Sequence, residues 1–166
     1  MVLANNKSSH ELQLRDLMRI TKIFKGLEKL PVNYAWANDT IDKLKGRQPF
    51  LASMMAGFKM DLEPHELLEV LIIYTAILEF FNSDRTSTVK PITQRQFEQL
   101  VSYNAQLIAK NNPADRATVS ILFNVVIERI GSLPVFQQME VQKLGMLVVG
   151  VKSIIECLQE RVLEYS

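Results

Sequence analysis

The sequence predicts an all-α fold: a single-domain bundle of about six or seven helices around an apolar helix over 62–81. Three observations predict it. Apolar residues recur at helical spacing through most of the chain. Only six glycines and six prolines interrupt it, too few for a loop-rich or disordered chain. The stretch LEPHELLEVLIIYTAILEFF, Leu62 to Phe81, leaves almost no polar face, as a helix inside a bundle does. A membrane span would need about 20 largely uncharged residues, and Glu63, Glu66, Glu69 and Glu79 interrupt this one, so no transmembrane segment is predicted.

The first helix is expected to start near Ser8, with residues 1–8 as a flexible tail. Ser8 and Glu11 have capping-box spacing. At about 100° per residue, Leu12, Ile20, Ile23, Phe24 and Leu27 share one face, with Leu17 at its edge. Arg15, Arg19, Lys22, Lys25 and Lys29 gather opposite. Asp16 falls inside the apolar face, where an unpaired charge is costly. It requires either a fraying helix or a basic partner from elsewhere in the chain.

Leu30 and Pro31 end this helix. A shorter one follows, with Tyr34, Ala37, Ile41 and Leu44 in one stripe and Trp36 off it. Pro49 opens a segment over 50–58 containing Met54 and Met55, residues that fill irregular gaps or adaptable contact surfaces. The apolar helix comes next, with Asp61 as its expected cap and Pro64 in its first turn. An exposed loop is expected over 82–90, where Arg85, Lys90 and nearby Arg95 are usual solvated bases rather than an anion site.

Thr93 and Gln96 form a second capping-box pair. The helix after them carries Phe97, Leu100, Val101, Leu107 and Ile108 on one face, and Asn104 inside that stripe. A buried Asn needs hydrogen-bond partners, and here it reads as fixing register. Asn111, Asn112 and Pro113 mark a turn before a β-branched helix over 114–130. A last helix is expected over 134–164. Glu140 and Lys143 project to its inner face, so it should bend near 140–145 or bury the two together. Gly145 and Gly150 permit close backbone approach. Cys157 reads as a small core residue, with nothing nearby to activate its thiol.

The chain is poorly supplied for catalysis. Its two histidines, His10 and His65, lie in neither a Glu-x-x-His nor a His-Glu-x-x-His pattern, so no metal site is expected. No nucleophile elbow or glycine-rich phosphate loop occurs. No cofactor is expected, and a non-catalytic role is favoured. A single cysteine and the absence of a signal-like apolar core in the first dozen residues point to the cytoplasm.

Charge is uneven. Residues 1–60 hold ten Lys/Arg against five Asp/Glu, and residues 61–166 nine against thirteen. That bias is mild for a nucleic-acid binder.

Three functions compete. The first is protein–protein interaction, including self-association, through the Met54/Met55 segment and the C-terminal helix. The second is a small-molecule or cofactor pocket using Asp16, His65, Glu69 and Asn104. The third is nucleic-acid or anionic-surface binding through Arg15, Arg19, Lys22, Lys25 and Lys29, disfavoured because a solvated basic face is the commoner outcome.

Overall fold

A computed structural model describes residues 2–82, 89–109 and 121–163. Every regular element among them is helical: α1 (Val2–Glu28), α2 (Tyr34–Leu44), α3 (Pro49–Asp61), α4 (Pro64–Asn82), α5 (Gln94–Ala109), α6 (Ile121–Ser132), α7 (Pro134–Gln137) and α8 (Val141–Leu163). The expected turn at 111–113, the first part of the helix over 114–130, Arg85 and the end of the last helix at Glu164 lie outside the described residues.

Twelve residues of α4 are buried, spread around its circumference from Glu66 to Phe81. The reason is its neighbours: α4 meets α1, α2, α3, α7 and α8. Its start differs from expectation. Asp61 is the last residue of α3 and exposed, so it does not cap α4. Instead the Glu66 carboxylate folds back to accept from the Glu63 backbone N–H at 2.9 Å. That is half of a capping box, made by the glutamate alone. Lys143 of α8 then reaches the same carboxylate at 3.6 Å.

The backbone of α1 is helical from Val2, well before Ser8, so Ser8 is not an N-cap. Ile20, Phe24 and Leu27 are buried as the periodicity requires. Leu12 and Leu17 are not: they are exposed, together with Leu14 and Met18. α1 runs antiparallel to α4, because Arg19 lies beside Phe80 while Glu28 shares Arg129 of α6 with Glu69.

The expected last helix is two helices. The chain breaks at 138–140, because Phe136 and Met139 both turn inward, to 1% and 7% exposure. The break carries Glu140 out to solvent and resolves the conflict over its place on the helix. Lys143 finds Glu66 rather than Glu140. Hence there are eight helices among the described residues where about six or seven were expected.

Two polar clasps hold α3, α5 and α8 in place. Gln48, buried at the α2–α3 corner, donates to the Lys90 carbonyl at 3.2 Å and accepts from the Ile92 N–H at 2.8 Å. The extended segment entering α5 is thereby fixed. Further along, Asn104 of α5 donates to Ser153 Oγ at 3.0 Å and accepts from Lys152 Nζ at 2.7 Å. Lys152 also bonds Glu156 at 2.7 Å. Each buried polar atom in this set has a partner, which is the condition for a polar core network to be tolerated. Asn104 thus locks the register of α5 on α8.

Candidate functional site

The site begins with small side chains on α8. Gly150 is buried, and a Cβ there would lie 3.0 Å from the Tyr74 hydroxyl. The missing side chain lets the phenol of α4 fit under α8. Gly145, by contrast, has nothing within 4 Å and serves no such approach. Burial pushes the Tyr74 phenol well above its usual proton affinity.

Above Tyr74 opens a groove of about 940 Å³. Val70 and Tyr74 form its floor. Met54, Phe58 and Leu62 of α3 make one wall, Phe97 and Val101 of α5 the second, and Met146, Val149 and Gly150 of α8 the third. The helical period delivers each set: residues three and four apart share a face. Aromatic packing stiffens the walls, with Phe58 and Tyr74 ring centroids 5.8 Å apart and Phe50 and Phe97 5.3 Å apart. Charge is confined to Asp61 and Lys143. Such a surface supplies apolar contact and shape, not acid–base chemistry. Met146 is 76% exposed at the lip, Met54 half-buried in the wall, and Met55 wholly in the core. The two adjacent methionines therefore divide, Met54 to the groove wall and Met55 to the core.

The residues expected to share a pocket are engaged separately. Asp16 is half-buried and pairs with Arg19 one turn on, at 3.7 Å, rather than with a base from elsewhere in the chain. His65 is exposed in the first turn of α4. Glu69 meets Arg129 at 3.5 Å. Asn104 belongs to the α5–α8 clasp. Among the described residues no bond or ion pair joins two of these four.

The basic face of α1 is also divided. Arg15, Lys22, Lys25 and Lys29 are exposed. Arg19 turns inward, its guanidinium 3.9 Å from the Phe80 ring centroid, as cation–π attraction favours. A straight helical projection places Arg19 with the lysines; the long side chain reaches round to the aromatic ring instead. Arg129, which no sequence signal marked, joins three helices: Nη1 donates to Glu28 at 2.7 Å, Nη2 reaches Glu69, and the guanidinium lies over Phe24.

Among the described residues no group of three His, Cys, Asp or Glu is placed to hold a metal ion, and no helix is long and apolar enough to cross a membrane. Comparison of the chain with protein-family models, with curated proteins and with solved structures finds no match.

Proposed function

We propose that this protein acts without catalysis, by binding an apolar helix of a partner in the α3–α5–α8 groove, and that the partner is a second copy of the chain. The observation carrying the reading is the groove itself: about 940 Å³ of apolar, methionine-lipped surface floored by Val70 and Tyr74. Amphipathic helices dock in such grooves by anchors at i, i+3 and i+4. Methionine suits the lip because its flexible thioether adapts to varied shapes.

The chain also carries a matching ridge. Leu14, Leu17 and Met18 stand at i, i+3 and i+4 on α1 and are 57%, 40% and 70% exposed. Ridge and groove are different surfaces, so the contact is head-to-tail, and association grows with concentration rather than closing at a dimer.

Sedimentation of the full chain across a range of concentrations tests this. Met146→Glu should abolish association by placing a charge on the lip, and Leu14→Glu should do the same from the ridge. Both positions are exposed, so the fold is retained. An equimolar mixture of the two variants keeps one good groove and one good ridge, and should form dimers only. A wild-type chain that stays monomeric at high concentration overturns self-association. Association unaffected by either variant overturns the groove as its seat.

A further inference from the structure

On another face of α4 lies a second hollow, of about 780 Å³, between α2 and α4. Its size is that of a small-molecule site. Trp36, Leu44, Met55 and Leu78 give it an apolar body, and Thr75 and Glu79 of α4 a polar wall. Those two are four residues apart and so neighbours on one helix face.

Thr75 is the anomaly. A helical hydroxyl ordinarily bonds back to the carbonyl four residues earlier. Thr21, Thr40 and Ser153 all do so here, each at 2.7 Å. Thr75 Oγ1 is shielded from solvent and has no hydrogen-bond partner. A hydroxyl so placed forfeits the hydrogen bond its neighbours make, a cost ordinarily avoided.

Glu79 beside it is exposed and has no cationic partner among the described residues, and its partial burial against the wall raises its proton affinity. Of the two cations that line the hollow, Lys43 is held by Asp39 at 2.9 Å, and Arg47 is exposed beyond the far end of α2, past Leu44. The wall therefore offers one carboxylate and one hydroxyl with unused capacity, next to an apolar body.

We propose that this hollow binds a small amphipathic cation. Its apolar part sits among Trp36, Leu44, Met55 and Leu78. Its ammonium or amidinium group donates to the Glu79 carboxylate, and the Thr75 hydroxyl, which is shielded until its side chain turns toward the hollow, then accepts from the same cation. Cation and carboxylate then form a charge-assisted hydrogen bond, stronger than one between neutral groups. The site is independent of the groove and of what the groove binds.

Trp36 is the only tryptophan in the chain, so its emission and its indole N–H resonance report this site directly. The full chain is titrated with phenethylamine, and with phenylacetate as the charge-reversed probe of the same body. Phenethylamine should give a saturable change in one or both signals, with phenylacetate at least tenfold weaker. Glu79→Gln should weaken phenethylamine about tenfold or more, since loss of a charge-assisted bond is of that order. Thr75→Val, which keeps shape and removes the hydroxyl, should weaken it severalfold. Phenylacetate binding as tightly as phenethylamine, affinity unchanged in Glu79→Gln, or no saturable change in either signal would each overturn the proposal.

Discussion

The two hollows against α4 are similar in volume, about 940 and 780 Å³, yet opposite in character. On the groove side the α4 side chains are satisfied by packing: Tyr74 fits beneath Gly150, and its walls are tied together by the Asn104 clasp. On the α2 side they are left wanting: among the described residues Thr75 lacks a partner and Glu79 lacks a counter-ion. Adjacent residues of one helix, Tyr74 and Thr75, therefore belong to different energetic regimes. A well-packed surface is lost when disturbed. An unsatisfied one is stabilised when its polar group is removed, and that asymmetry separates structural from ligand-seeking surfaces.

The sharpest way to break the comparison is Asn104→Ala. It removes both hydrogen bonds that join Asn104 of α5 to α8 at the seam, leaving Lys152 only Glu156 and Ser153 only the Val149 carbonyl, and lets the α5 and α8 walls part. The cost should be about 3 kcal/mol in urea unfolding, as for other disrupted buried networks. A cost under about 1 kcal/mol would mean the clasp is incidental to the groove.

Next in size is the glycine pair on α8. Gly145→Ala should stabilise by about 0.5–1 kcal/mol, the helix-propensity gain with nothing in the way. Gly150→Ala should fall short of that by about 1–2 kcal/mol, because the new methyl presses on the buried Tyr74 hydroxyl. Equal effects in thermal unfolding would show that Tyr74 yields freely.

On the other side, Thr75→Val should stabilise the chain by about 1 kcal/mol, since it removes an unsatisfied hydroxyl and adds no volume. A loss of stability would reveal a hydrogen bond at Thr75 and make the two sides alike.

The smallest effect is in pH. The Glu79 carboxyl is raised on folding, so its contribution is fully present below the ordinary carboxyl value of about 4.3 and is lost as pH rises through the folded value. Glu79→Gln should then be neutral or slightly stabilising near pH 7 and without effect in acid. Tyr74, raised on the groove side, follows the same sign in alkali: its contribution is held below the free phenol value of about 10 and lost above it. Stability curves of wild type and Glu79→Gln that stay parallel from acid to neutral pH would contradict the raised proton affinity of that carboxyl.

Much of the fold was legible, for reasons that particular residues make clear. The spacing of Ile20, Phe24 and Leu27 selected the buried face of α1, and the Thr93 hydroxyl does accept from the Gln96 N–H, at 3.2 Å. Asn104 stood out as a polar residue in an apolar stripe, and the register reading of it agrees with its bonds. The break before α8 was visible only as a contradiction, Glu140 on an inner face. No glycine or proline marks it; two inward side chains, Phe136 and Met139, do.

The hollows were less legible. Met54 hinted at the groove, but its other walls come from Phe97 and Met146, residues distant in sequence that only tertiary packing unites. Thr75 and Glu79 were hidden by the very feature that identified α4: in a run apolar nearly all round, a threonine gives no sign that its hydroxyl will lack a partner. Arg19 and Arg129 were misjudged or missed because long side chains choose their partners by reach, not by the angle of their Cα.

The pairing of Tyr74 with Gly150 also has a consequence during synthesis. A ribosome delivers α4 long before α8, and at roughly 5–20 residues per second the nascent apolar helix waits some seconds for its lid. Through that interval Tyr74 and its neighbours have no cover from α8.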